Sequence, residues 1–244
     1  MISVLVTGTG RMGKMIMELI ENDERFTLAG SIGHDNCNTL ATAAPADVVI
    51  DFSNKAMLPL ISEYVKRTGT PLVCGTTGFT DEDMQQLIQL GEHAPVLYSA
   101  NYSVGVAVLR KLAAIASQAL GTDFNIEIIE THHNQKADAP SGTAKLLLNA
   151  VDPEHTFDVV HGREGITGKR SPREIGVHAV RGGTVAGKHT VAFFGADEEI
   201  ELTHLASSRR IFAAGALKAA ANLLNRPSGF YSIDDILFSQ GETP

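Results

Sequence analysis

Short apolar runs alternate with amphipathic ones along the first hundred residues. Residues 2–7 (ISVLVT), 26–32 (FTLAGSI), 46–53 (ADVVIDFS), 71–74 (PLVC) and 94–103 (APVLYSANYS) are compact and rich in β-branched residues. That is the pattern of parallel strands buried on both faces. Between them, residues 14–22, 55–67 and 81–91 carry apolar positions at helical spacing. Strand–helix alternation at this interval predicts an open parallel sheet with helices on both faces. A longer apolar helix over 104–120 leads out of this region.

Beyond Gly121 the pattern changes. Residues 124–133 (FNIEIIETHH) alternate like a strand, and 142–151 read as a helix. Residues 157–163, 175–183, 185–195 and 198–207 read as further strands joined by glycine-rich turns, with 164–174 a polar, basic loop. Four or five strands with few helices predict an α+β domain with a mixed or antiparallel sheet. Residues 208–225 are strongly helical and should return to the first domain, followed by a docked tail. The fold class is therefore α/β. A Rossmann-type domain (1–103 with 208–244) is expected beside an α+β substrate and oligomerisation domain (104–207).

Composition narrows the class. The chain has 244 residues, 43% of them hydrophobic, and a formal net charge of -8. It can bury a sizeable core, and its acidity argues against a nucleic-acid partner. No apolar run reaches the roughly 18 residues of a membrane span, and the first residues read as a strand rather than a signal peptide. Cys37 and Cys74 suggest neither a disulfide framework nor a zinc pair. A cytoplasmic protein without membrane partners is expected.

Two stretches carry chemistry. The first strand is followed at once by Gly8-Thr9-Gly10-Arg11-Met12-Gly13 and then by a helix. This is GxGxxG in the strand–turn–helix context that a dinucleotide requires. Gly8 serves the tight turn, Gly10 the approach of the pyrophosphate, and Gly13 helix–strand packing. Where an NAD-selective site carries a carboxylate after the second strand, this chain has Gly33, with His34 able to pair with a 2′-phosphate and Asp35 one step on. Either NADPH or NADH is compatible, with NADPH favoured. Gly75-Thr76-Thr77-Gly78 and Ser99-Ala100-Asn101-Tyr102 fall at the ends of two later strands, where ligands of such sheets bind.

The second stretch, Glu130–Ala144 (ETHHNQKADAPSGTA), places His132, His133 and Lys136 just before a helix start carrying Ser141, Gly142 and Thr143. A helix start favours an anion, hydroxyls add donors, and a histidine beside it can supply a proton. The segment suits a small carboxylate. No His/Asp/Glu set at ligand spacing accompanies it, so no metal is expected. His178, His189 and His204 lie in predicted strands and read as structural or interfacial. Arg181, with Gly182 and Gly183, could reach the active site, but a tight turn is the simpler account. Arg209 and Arg210 open the returning helix, on its surface or against cofactor or the other domain. Cys74 reads as a buried apolar cysteine.

Together, GTGRMG, DFS at 51–53, GTTG at 75–78, SANYSVGV at 99–106, ETHHNQKADAPSGTA, IGVHAVRGGTVAGKHTV and SSRRIFAAGA span nearly the whole chain in order. In these motifs the chain resembles the 4-hydroxy-tetrahydrodipicolinate (dihydrodipicolinate) reductase family of the lysine/diaminopimelate route. The resemblance implies His132 as catalytic acid/base and Lys136 as second proton donor. It implies His133, Ser141, Gly142 and Thr143 as the binding site for the carboxylates of a dicarboxylate substrate. Gly8 to Gly13 would hold the pyrophosphate, Gly33 and His34 would face the 2′ position, and Gly75, Thr76, Thr77 and Ser99 to Tyr102 would line the nicotinamide. A homotetramer is implied as well. Two other readings compete: an amino-acid semialdehyde dehydrogenase, which when acylating needs a nucleophilic cysteine, and a dinucleotide sensor without turnover.

Overall fold

In the computed structural model, residues 1–238 are described; positions 239–244 of the expected tail lie outside them. The chain groups into two compact units, Met1–Val104 with the segment from Arg210 onward, and Gly105–Arg209.

The first unit is a six-stranded sheet of β1 (Ile2–Thr7), β2 (Phe26–Ile32), β3 (Val48–Asp51), β4 (Leu72–Cys74), β5 (Pro95–Tyr98) and β11 (Gly229–Tyr231). Its order is β11-β5-β4-β3-β1-β2 and every pairing is parallel. The continuous apolar strands have two cores to fill. Val4, Val6, Val48, Ile50 and Val73 face helix α1 (Arg11–Glu21) and the alanine-rich α6 (Arg210–Leu223). Leu5, Val49, Leu72 and Val96 face α2 (Leu58–Thr68) and α3 (Asp81–Leu90). Thr80 and Asp83 form a reciprocal capping box that starts α3. Strand order reverses between β1 and β3, which puts the glycine turn after β1 at the switch point. The tail, expected only to dock, supplies β11 at the sheet edge and the short helix α7 (Ile233–Leu237).

The second unit holds α4 (Val104–Leu120), β6 (Asn125–His132), α5 (Gly142–Val151), β7 (Asp158–Val160), β8 (Glu174–Arg181), β9 (Gly187–Phe194) and β10 (Glu199–Ala206). The sheet order is β10-β9-β6-β8-β7, with β6, β7 and β8 parallel and β9 antiparallel to both β6 and β10. Ile126, Ile128, Val177, Val191 and Phe193 pack against Leu109, Ala113, Leu147 and Val151 of α4 and α5. The period of two along β6 matters most. It places Glu130 and His132 on the same face as Ile126 and Ile128, beyond the end of the apolar core.

One expectation needs correction. By length and composition the helix Val104–Asp123 is enough to cross a membrane, although Arg110 and Lys111 interrupt its apolar run. Leu109 and Ala113 lie buried in the second unit's core, with Ala116 and Leu120 packed against it, while Val108, Leu112 and Ile115 are exposed.

Candidate active site

At the switch point the glycine loop is shaped by close contacts. Gly8 has φ +97°, in the left-handed region, and a Cβ there would strike the Phe52 carbonyl oxygen at 2.3 Å. A Cβ on Gly13 would lie 1.7 Å from the Gly8 carbonyl oxygen, so helix and loop approach as closely as glycine permits. Gly10, the N-cap of α1, has open space where its side chain would be. No side chain caps this helix start and no acidic residue occupies its first turn. The cradle therefore fits a pyrophosphate.

Other residues expected around the dinucleotide are placed as follows. Thr9, Arg11 and His34 are exposed, whereas Met12 packs partly against the core and offers the cradle its backbone. Gly33 lies beside Thr9: a Cβ at Gly33 would meet the Thr9 hydroxyl at 2.8 Å, and the Gly33 N–H donates to Asn36 Oδ1 at 2.6 Å. The direction of a Cβ on Gly75 is filled by the Phe52 ring. Thr76 is buried, its hydroxyl accepting from the Ser53 N–H at 2.9 Å, while Thr77 is exposed. Ser99 donates to the Asn101 carbonyl at 2.8 Å, and Ala100 is exposed between them. Tyr102 is in the core, its hydroxyl donating to the Cys74 carbonyl at 2.8 Å. Beneath the loop, Asp51 accepts from Thr7 at 2.7 Å and from the Ser53 hydroxyl at 2.5 Å. Burial and the neighbouring Asp51 push the Cys74 thiol well up, so it is no ready nucleophile.

In the second unit the polar residues converge on Glu130, which is fully buried. Its Oε2 faces His132 Nδ1 at 2.5 Å and accepts from Arg181 Nη1 at 2.8 Å. Its Oε1 accepts from Arg181 Nη2 at 2.8 Å and from the Ser141 N–H at 3.0 Å. Burial raises the carboxyl's pKa, but hydrogen bonds from Arg181, His132 and Ser141 outweigh it and hold the group below the usual range. An ionised carboxylate only accepts, so His132 Nδ1 carries a hydrogen, leaving Nε2 as the ring nitrogen not bonded to Glu130.

Ser141 caps α5, its hydroxyl accepting from the Ala144 N–H at 3.1 Å, with Gly142 and Thr143 in the helix's first turn. The peptide bond between Ala139 and Pro140 is cis. Lys136 donates to Asp138 Oδ1 at 2.7 Å, and the Asp138 carbonyl accepts from Arg181 Nη2 at 2.7 Å. His133 Nε2 faces Arg209 Nη2 at 3.2 Å. A guanidinium can only donate, so this nitrogen is an acceptor, and partial burial followed by the Arg209 charge lowers the pKa of His133.

Four residues here were missed or misjudged from sequence. His189, expected to be structural or interfacial, lies edge-on to His132 with ring centroids 5.0 Å apart, and its Nε2 is 3.1 Å from the Ser141 hydroxyl. Burial, then the neighbouring His132, lowers its pKa to about 4, so it is neutral near pH 7. Arg181, expected to belong to a turn, ends β8 and clamps Glu130. Arg209 sits on His133, whereas Arg210 pairs with Glu18 at 2.5 Å. Glu130 itself had one available signal: with His132 it keeps the alternation of the strand. His178 bonds Glu127 at 2.7 Å, in a network with Arg163 and Arg170. Among the described residues no group of three or more His, Cys, Asp or Glu is placed to hold a metal ion.

Residues 2–102 match the family model "Dihydrodipicolinate reductase, N-terminus", and 105–237 match "Dihydrodipicolinate reductase, C-terminus". The chain is 44% identical over 243 residues to a 4-hydroxy-tetrahydrodipicolinate reductase of Akkermansia muciniphila, covering 97% of this chain and 98% of that protein. A protein of the same name from an Exiguobacterium species is 40% identical over 238 residues, covering 96% and 95%. Among solved structures, a dipicolinate-bound dihydrodipicolinate reductase from Paenisporosarcina sp. TG-14 superposes with a TM-score of 0.77. It has 23% identity over 95% of this chain and 97% of that one, a likeness of fold.

Proposed function

The chain belongs to the dihydrodipicolinate reductase family and is an NAD(P)H-dependent 4-hydroxy-tetrahydrodipicolinate reductase of lysine and diaminopimelate biosynthesis; from that premise we propose how its residues divide the work. His132 is the acid/base and Lys136 the second proton donor. His133, Ser141, Gly142 and Thr143 take the substrate carboxylates. The observation that carries this reading is the buried Glu130, which holds His132 by Nδ1 and anchors Ser141 through its backbone N–H.

The reaction leaves the chain a defined task. When bound, the nicotinamide supplies hydride. Hydride addition to a conjugated cyclic imine leaves an enamine-like anion, and His132 donates the proton it needs from Nε2. The ammonium of Lys136 stabilises the developing charge, exchanging Asp138 for a substrate carboxylate. His133, neutral and pinned by Arg209, keeps its hydrogen on Nδ1 as a donor to a carboxylate. The first turn of α5 adds backbone N–H groups and the positive end of its dipole.

Gly8, Thr9, Gly10, Arg11, Met12 and Gly13 would hold the pyrophosphate. Gly33 and His34 would face the 2′ position, and Gly75 to Thr77 with Ser99 to Tyr102 would line the nicotinamide. With Thr9 against Gly33 and no carboxylate there, NADPH is the favoured cofactor. The second unit's sheet exposes Val180 by 48% and Leu205 by 65% on the face opposite α4 and α5, which supports a homotetramer built through that sheet. Light scattering of the purified protein tests the tetramer. Dependence on the NAD(P)H pool suits a cytoplasmic enzyme.

A coupled assay tests the whole reading. Freshly generated 4-hydroxy-tetrahydrodipicolinate is given with NADPH or NADH, and cofactor absorbance is followed. Substrate-dependent oxidation, faster with NADPH, is expected. Dinucleotide binding without oxidation would instead favour the sensor.

A further inference from the structure

Arg181 contacts two residues, Glu130 and Asp138, that link three things the proposed chemistry needs at once. Its guanidinium forks onto both oxygens of Glu130 at 2.8 Å, and its Nη2 also donates to the Asp138 carbonyl at 2.7 Å. Glu130 in turn takes His132 on one oxygen and the Ser141 N–H on the other. Asp138 is the residue that Lys136 now holds. The acid/base, the turn carrying the second proton donor and the start of the anion-binding helix are therefore joined through one buried carboxylate and one guanidinium.

The cross-strand pairing explains how these segments meet. Arg181 on β8 pairs with His132 on β6, so the arginine and the histidine share a sheet face. Glu130 pairs with His189 on β9, which closes the other flank. The Glu130 carboxylate is fully buried and each of its oxygens serves two donors, so its position has little freedom.

We propose that Arg181 and Glu130 are positioning residues for the reduction: together they hold His132 with its hydrogen on Nδ1 and its Nε2 presented, and lock that histidine in register with the start of α5 and the Lys136 turn. Neither touches substrate in this role. The inference rests on the assignment of His132 as proton donor.

Two charges of opposite sign give it a signature that loss of packing would not. E130Q removes the anion that faces His132 Nδ1. The alkaline limb of the kcat profile then moves down by about one unit. R181M removes the cation that shares Glu130, and the limb moves up. Both should lower kcat roughly tenfold to a hundredfold, as a misplaced acid/base does, with NADPH affinity unchanged. R181K keeps the charge but loses the fork, so kcat falls while the limb stays near its original pH. Nitrogen-15 spectra of the histidine rings, taken on folded enzyme, should show His132 as the Nδ1–H tautomer in the wild type and a mixture in E130Q. H132Q is measured alongside.

Wild-type kcat and an unmoved pH limb in folded E130Q and R181M would overturn the positioning role. An unchanged His132 tautomer in E130Q would do the same. Full turnover in H132Q would instead overturn the assignment beneath it. Should R181M fail to fold, E130Q and R181K still decide the matter.

Discussion

The two regions proposed to serve this reaction are built from different materials. The dinucleotide cradle is made of backbone: glycines packed against carbonyl oxygens, an uncapped helix start, and hydroxyls that hold the neighbouring turn in place. The region proposed to donate the proton is made of polar and charged side chains, with Glu130, Arg181, His132 and His189 drawn from three strands and locked onto the start of a helix. A backbone cradle responds to shape. A buried ionic network responds to charge, and so to pH.

The largest effect should come from breaking the charged region while sparing the cradle. Replacement of His132 by Gln is expected to lower kcat by about 10²- to 10⁴-fold, the range of a lost general acid. NADPH binding should be unaltered; since the chain has no tryptophan, the cofactor's own fluorescence reports it.

Acid comes next. The pKa of His189 falls from 6.5 to about 4 on folding, so between these values the unfolded chain binds the extra proton. Stability is therefore full above pH 6.5 and declines as pH falls toward 4, by up to about 3 kcal/mol. The carboxyl of Glu127, lowered to about 2 by Arg163, His178 and Arg170 against the pull of burial, adds a further loss below its ordinary value of 4.5. Denaturant melts at a series of pH values measure both. In H189N the loss between pH 6.5 and 4 should shrink, and an unchanged slope would assign it to another group.

Shape is tested in the cradle. Gly10→Val fills the space kept open at the helix start. Loss of a charge-assisted hydrogen bond there is expected to weaken NADPH by roughly tenfold to a hundredfold. The KM for the dicarboxylate substrate, measured at saturating NADPH, should stay the same. If that KM rose as NADPH affinity fell, the two regions would not be separable.

The smallest effect belongs to Ser141→Ala. It removes the cap of α5 and the partner of His189, and about 1 kcal/mol of stability should go with it. Calorimetry reads the stability, and a modest rise in KM without a matching fall in kcat would mark the helix start as a binding element.

These differences also explain what could be read in advance. Gly8, Gly10 and Gly13 announce the cradle because one short segment supplies nearly all of it, and only glycine tolerates such contacts. His132, His133 and Lys136 are visible for the same reason, being consecutive or nearly so. Their partners are not. Arg181 lies 51 residues from Glu130, and His189 lies 48 from Ser141. Each sits in a strand where alternation explains it equally well as a structural residue. Gly33 shows a milder limit: the absence of a carboxylate can be read, but the Thr9 side chain that occupies its space cannot.

Local pattern by itself determined the strands and helices up to the end of α6, the order in which they alternate, and the two segments where chemistry is concentrated, but not β11 or α7. Hydrophobic period and glycine spacing are properties of neighbours in the chain, and sequence records neighbours. Only the tertiary structure decided which strands lie side by side, and hence that β8 brings Arg181 and β9 brings His189 to the end of β6. Strand pairing is settled by burying a shared apolar face, here Ile126, Ile128, Val177, Val191 and Phe193. The polar residues beyond that face come together as its consequence.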